Sequence, residues 1–131
     1  MRALIVEDEF LSRKILLNYL TTLFEVDVVV NGQEAVDAFT MAHNEGRPYS
    51  LILMDIMMPE LDGMEALERI RGLERDNALK PEAKVIMTTA LDDPKTVIKS
   101  FHDGGASGYI VKPVDKEKLF KELEKLELIH E

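Results

Sequence analysis

The chain has 131 residues, 46% hydrophobic and 31% charged, with a formal net charge of −9 and no cysteine. This length suits one domain, expected to span residues 1–131 and to bury roughly two-thirds of its unfolded surface. No apolar run approaches the roughly 18–20 residues of a membrane-spanning helix, the absence of thiols excludes disulfides and thiolate metal sites, and the negative charge argues against nucleic-acid or anionic-membrane partners.

The opening, Met1-Arg2-Ala3-Leu4-Ile5-Val6-Glu7-Asp8, turns acidic at once and lacks the cleavage site of a secretory leader. Together with the missing cysteines this suits a cytoplasmic protein. Residues 2–6 read as a short apolar strand, followed by Glu7-Asp8-Glu9. From Phe10 to Leu23 the apolar residues Leu11, Ile15, Leu16, Tyr19, Leu20 and Leu23 recur every three or four positions, which predicts an amphipathic helix. Val26–Val30 is a second strand closed by Asn31-Gly32. A second helix starts near Gln33, turns Ala35, Val36, Phe39 and Met41 inward, and stops at Gly46-Arg47-Pro48.

The stretch from Leu51 to Pro59 organises the chain. Four apolar residues run into Asp55, and an apolar run of this kind fits a strand buried on both faces of a parallel sheet, here residues 50–54. Pro59 cannot donate to a ladder, so the strand must end before it. Asp62-Gly63 is a turn, and a third helix covers about Met64–Leu73. A polar connector with Pro81 leads to a fourth strand, Lys84–Met87, that ends in Thr88-Thr89-Ala90. Asp92 or Asp93 can cap a fourth helix with Pro94 in its first turn, ending at Gly104-Gly105. The fifth strand is 107–111, followed by Lys112-Pro113, and Asp115 caps a last helix that reaches about Ile129.

Five strand–helix units in alternation predict an α/β fold: a doubly wound, five-stranded parallel sheet with right-handed crossovers and five helices on its two faces. Strands in such a sheet all end at one edge, so the residues after them converge. Glu7 and Asp8 follow the first strand, Asp55 the third, Thr88-Thr89 the fourth and Lys112 the fifth. Carboxylates a few ångströms apart resist joint ionisation unless a cation compensates them. An oxygen-only site without His or Cys suits a hard cation, Mg²⁺ before Ca²⁺. Metal, ammonium and hydroxyl around one carboxylate are what phosphoryl transfer to that carboxylate requires. Each residue has a plainer reading alone, as helix cap, strand end or surface lysine; their convergence on one edge favours the functional reading.

In this constellation the chain resembles the receiver (response-regulator) domain of two-component signalling, in particular its stand-alone, chemotaxis-regulator-like members. The resemblance rests on Glu7-Asp8, Asp55 with Met58-Pro59, Asp62-Gly63, Thr89-Ala90 and Lys112-Pro113, and covers about residues 2–128. It implies a flavodoxin-like sheet of order 2-1-3-4-5, an order that flavodoxins and chemotaxis regulators share. It implies that Asp55 accepts a phosphoryl group from a phosphohistidine on a partner kinase, or from a small donor. Asp8 and Asp55 would hold Mg²⁺, with Glu7 binding directly or through water and the Met57 carbonyl as a backbone ligand. Lys112 would pair with phosphoryl oxygens, and the Lys112-Pro113 bond is expected to be cis. Thr89 would bond the phosphoryl group while Tyr109 turns inward to fill the space it leaves. That shift would remodel the face of the fourth helix, fifth strand and fifth helix, where output partners bind.

The implied partners are a sensor histidine kinase or phosphotransfer protein and a downstream protein target, with the chain a monomer or weak homodimer. It would be no stand-alone enzyme, although it supports its own phosphorylation and dephosphorylation. Three features set it apart. The first acid is Glu7 where Asp is common, and Met57 and Leu91 are apolar at positions flanking the phosphoryl group. Neither can orient a water, which predicts a long-lived phosphoryl state. A dehalogenase-type phosphatase would need an acid at position 57, which is Met, and an FMN carrier would need a phosphate loop where Glu7-Asp8-Glu9 stands. The remaining alternatives are a receiver module cut from a larger regulator or hybrid kinase, and a receiver that docks without being phosphorylated.

Overall fold

The computed structural model describes residues 1–58, 61–90 and 105–129. Pro59, the fourth predicted helix with its Asp92 or Asp93 cap, Leu91 and Gly104 lie outside the described residues. The strands β1 (Arg2–Val6), β2 (Glu25–Val29), β3 (Leu51–Asp55), β4 (Lys84–Thr89) and β5 (Gly108–Val111) form one sheet in the order β2-β1-β3-β4-β5. Every pairing is parallel. Among the described residues four helices cover it: α1 (Phe10–Leu20), α2 (Gly32–Asn44), α3 (Gly63–Asp76) and the C-terminal helix α4 (Lys116–Lys125).

Side chains along a strand alternate between faces, so the continuous apolar runs feed two cores. Leu4, Val6, Ile52, Met54, Val85 and Met87 pack beneath α2 and α3 with Phe39, Leu67 and Ile70. Ala3, Ile5, Leu51, Leu53, Ile86 and Ile110 pack beneath α1 and α4 with Leu16, Leu20, Leu119 and Leu123. β3 is central and buried throughout.

Several expectations need correction. Helix α1 ends at Leu20, not Leu23, and passes into a turn at residues 21–23. Of its apolar positions Leu16 and Leu20 are fully buried, whereas Leu11, Ile15 and Leu23 face solvent, because the apolar stripe is wider than the strip of sheet it covers. β2 is an edge strand and is not shielded on both faces; Val28 and Val30 are exposed. Met41 points outward, while Ala35, Phe39 and Ala42 carry the buried face of α2. β3 includes Asp55 as its last residue, and α3 extends three residues beyond Leu73. The last helix stops at Lys125, short of Ile129, with Glu127 at φ 60 behind it.

Two close backbone approaches hold the loop after β3. Gly63 N–H donates to the Ile56 carbonyl at 2.9 Å, and a Cβ at Gly63 would lie 2.2 Å from the Asp55 carbonyl oxygen. Gly32 N–H donates to the Leu61 carbonyl at 3.1 Å, and a Cβ there would lie 2.2 Å from that oxygen. The N-termini of α2 and α3 are thereby drawn against the loop that follows Asp55.

Candidate functional site

Asp55 reaches the rim because β3 is hydrogen-bonded to β4 up to its last residue. It pairs with Thr88, and the Ile56 N–H donates to the Thr88 carbonyl at 3.0 Å. Its side chain is nearly buried; Oδ2 accepts from Lys112 Nζ at 3.2 Å and Oδ1 from the Met57 N–H at 3.3 Å. Lys112 is fixed by its own N–H, which donates to the Thr89 carbonyl at 2.7 Å, and the Lys112-Pro113 bond is cis as expected. Its ammonium also donates to Glu7 Oε1 at 2.6 Å.

Glu7, 1% exposed, follows β1, with its N–H bonded to the Val29 carbonyl at 3.1 Å and Oε2 accepting the Glu9 N–H at 3.2 Å. Asp8 stands beside it, exposed. One carboxylate oxygen from each of Glu7, Asp8 and Asp55 lies within 4.8 Å of the others. Glu7 and Asp55 share the Lys112 ammonium as their ion-pair partner, so carboxylates outnumber the ammonium at the rim. Burial pushes the Glu7 carboxyl above the usual carboxylate range, and the neighbouring Asp55 adds to this, while Lys112 works against it. Burial alone would lower the Lys112 ammonium; the hydrogen bond to Glu7 and the charges of Asp55 and Glu7 outweigh it, and the net direction is upward. An all-oxygen, electron-rich cluster of this kind fits a hard cation such as Mg²⁺.

Thr89 and Tyr109 share one face of the sheet, since Thr89 pairs with Val111 and Tyr109 with Met87. Thr89 is buried and Tyr109 is 39% exposed. Met57 is 63% exposed and lines, with Asp8, Ile56, Met58 and Asp62, a cleft of about 420 Å³ on one side of the acids. A second cleft of about 350 Å³ is bounded by Glu7, Ser12, Ile15, Lys112 and Pro113.

Two neighbours of the site escaped the sequence reading. Arg13 Nη1 donates to the Glu7 carbonyl at 3.2 Å and the Asp8 carbonyl at 2.9 Å, pinning the acidic turn from α1. Glu9 caps α1, accepting the N–H groups of Leu11 and Ser12. An acid just before an amphipathic helix was a signal for the second; nothing in the spacing marked Arg13.

A parallel sheet of this order with an acidic carboxyl-end rim is a flavodoxin-like fold of receiver type. The chain belongs to the response regulator receiver domain family, whose model it matches over residues 3–124. It is 32% identical over 125 residues to the chemotaxis protein CheY of Listeria monocytogenes, covering 95% of this chain and 97% of that protein. It is 33% identical over 125 residues to the response regulator protein VraR of Staphylococcus saprophyticus, covering 95% of this chain. The chain spans 56% of that VraR and 49% of the Staphylococcus epidermidis VraR proteins, about half the length of these relatives. Among solved structures it is similar to the CheX-CheY-BeF3-Mg complex of Borrelia burgdorferi, with TM-score 0.83, 28% identity and coverage of 96% of this chain and 88% of the matched one. The receiver domain of Ssk1 with the phosphotransfer protein Ypd1 of Saccharomyces cerevisiae gives TM-score 0.83 and 30% identity, covering 95% and 87%. The chain is thus a receiver domain of two-component signalling, a signalling module. Among the described residues no helix is long and apolar enough to cross a membrane.

Proposed function

We propose that this domain is a phosphorylation-dependent switch in which Asp55 accepts a phosphoryl group from a phosphohistidine on a sensor kinase or phosphotransfer protein. One observation carries the reading: the buried Asp55 carboxylate lies against the Lys112 ammonium, at a rim whose three carboxylates exceed its positive charge. Asp8, Asp55 and the Met57 carbonyl would hold Mg²⁺, with Glu7 directly or through water, and the metal would neutralise developing charge on the phosphoryl oxygens. An Asp55 carboxylate oxygen attacks phosphorus in line as the P–N bond breaks; the bond electrons leave with the imidazole. Lys112 releases Asp55 for a phosphoryl oxygen, and the Thr89 hydroxyl donates to another.

Tyr109, on the same face as Thr89, turns inward when Thr89 moves, altering the surface around β5 and α4 for a downstream protein. The apolar Phe10, Leu11 and Ile15, exposed beside the rim, offer a landing surface for the donor protein. Structures of related domains with CheX and with Ypd1 support protein partners of this kind. Exposed, apolar Met57 offers no group to orient an attacking water, in keeping with a long-lived phosphoryl state.

Intact mass after incubation with acetyl phosphate and Mg²⁺ tests the switch. One phosphoryl increment is expected, absent in Asp55→Asn and in the presence of a chelator, with faster loss in Met57→Asn. No increment while Mg²⁺ demonstrably binds would overturn phosphorylation and favour a receiver that only docks.

A further inference from the structure

The end of β2 and the start of α2 reach both halves of the acidic rim through backbone alone. The Val29 carbonyl accepts the Glu7 N–H at 3.1 Å, which holds the turn that carries Asp8. Just beyond, the Gly32 N–H donates to the Leu61 carbonyl, also at 3.1 Å, in the loop that follows Asp55. Reciprocal bonds stiffen this short segment: Asn31 Oδ1 accepts the Glu34 N–H at 2.8 Å, and Glu34 Oε1 accepts the Val30 N–H at 2.9 Å. Gly32 has room for a hydrogen only. A Cβ there would lie 2.2 Å from the Leu61 carbonyl oxygen and 2.9 Å from its carbon. The contact continues toward the rim. Leu61 and Asp62 lead into Gly63, whose N–H holds the carbonyl of Ile56, the residue before Met57, at 2.9 Å. Asp8 from one held segment, and Ile56, Met57 and Asp62 from the other, line one cleft of about 420 Å³.

We propose that Gly32 is a positioning residue for the cation site. By letting α2 start against the Leu61 carbonyl, it fixes the separation of the Asp8 turn from the Asp55 loop, and that separation favours Mg²⁺ over Ca²⁺. The proposal rests on reading the rim as a cation site and specifies what selects the ion there. Mg²⁺ requires near-octahedral oxygens at about 2.0–2.1 Å, whereas Ca²⁺ accepts looser contacts of about 2.3–2.6 Å, so a small widening penalises Mg²⁺ far more. A methyl group at position 32 has to part the two backbones by about 1 Å to reach ordinary contact, a displacement that a tightly positioned site feels strongly. Helix α2 is anchored by its buried Ala35, Phe39 and Ala42, so the loop is the part that yields. The shift passes from Leu61 through Gly63 to Ile56 and the Met57 carbonyl.

The test measures Mg²⁺ and Ca²⁺ affinity of the full chain by calorimetry, without phosphodonor, in the natural protein, Gly32→Ala and Phe39→Leu. Phe39→Leu weakens the buried face of the same helix about two turns further on, and so controls for lost stability. In Gly32→Ala the Mg²⁺ affinity should fall about tenfold or more, the size typical of residues that orient metal ligands, while Ca²⁺ affinity stays within about threefold. Phe39→Leu should leave the ratio of the two affinities at its natural value. An unchanged ratio in Gly32→Ala, with both ions bound normally or both lost together, would overturn the proposal. If Gly32→Ala does not fold, hydrogen exchange in the natural chain decides. Mg²⁺ at about 100 times its dissociation constant should slow exchange of the Gly32 amide about 100-fold, since opening that bond would release the ion. The Arg47 amide, bonded to the Ala42 carbonyl at 2.9 Å at the far end of α2, should not respond. No response at Gly32, or an equal response at both amides, would overturn the proposal. A natural chain that binds neither ion would remove the cation site itself and this proposal with it, a failure visible before any variant is made.

Discussion

The two ends of the sheet treat their charges differently. At the amino-terminal end Asp27 accepts hydrogen bonds from Arg2 and Tyr49, each at 2.6 Å, and Arg47 pairs with Glu25. Nearby, where α3 meets the starts of β4 and β5, Arg71 and Glu74 form a buried pair at 2.7 Å. Arg71 also donates to the Ala83 and Gly105 carbonyls, and Glu74 accepts the Ala83 N–H. Acid and base are matched there, and the groups tie segments together. At the carboxyl-terminal end Glu7, Asp8 and Asp55 share Lys112, and negative charge is left over. The first arrangement serves stability. The second leaves carboxylates in excess of the lysine they share, the imbalance on which the proposed cation and phosphoryl site rests.

The comparison breaks first where a matched pair is cut. Arg71→Met leaves the Glu74 carboxylate, 2% exposed, without its guanidinium; urea unfolding should show a loss of about 3–5 kcal/mol. A cost below about 1 kcal/mol would mean that this end is not held by its ion pair. At the other rim the sign should reverse. Asp8→Asn is expected to raise stability by about 1 kcal/mol without Mg²⁺, by relieving like-charge repulsion. Mg²⁺ at about 100 times its dissociation constant should stabilise the natural chain by about 2.7 kcal/mol, and Asp8→Asn should lose most of that gain. Thermal melts with and without Mg²⁺ measure both effects.

A gentler probe is pH. The Tyr49 hydroxyl, then Arg2, holds the Asp27 carboxyl below its ordinary range. A depressed folded pKa contributes stability above the unfolded pKa, near 3.9, and that contribution is lost as pH falls through the lower folded value. Stability should therefore fall on acidification below about pH 4 through this group, and Tyr49→Phe should flatten that part of the curve. Because Asp27 is 46% exposed on its side chain, screening keeps the effect small. The smallest change expected concerns neither rim. Ala78 follows α3 at φ 51 and closes it with the Leu79 N–H on the Glu74 carbonyl at 2.9 Å. Glycine favours that backbone, so Ala78→Gly should gain about 0.5–1 kcal/mol in urea unfolding.

Much of the site was legible because a parallel sheet turns sequence order into spatial convergence. Knowing that Asp55, Lys112 and the Glu7-Asp8 pair each end a strand was enough to bring them to one edge. Helix limits were less legible: Leu23 and Met41 fit the apolar period yet face solvent, because a period says which residues share a face and not how much of it the sheet covers. The buried Arg71-Glu74 pair was invisible for a related reason. Charged residues in a helix read as its solvated face, and only the approach of the β4 and β5 starts supplies the carbonyl and amide partners that let them be buried.

The sequence by itself determined the strand–helix alternation, the two-sided apolar strands and the residue types at the rim, since these depend on local period and composition. The tertiary structure alone decided that Lys112 lies nearer Glu7 than Asp55, that Arg13 pins the acidic turn, and that Gly32 and Gly63 let backbone meet backbone beneath the Asp55 loop. Such facts depend on distances of a few tenths of an ångström between segments far apart in the chain, set by the packing of the whole sheet.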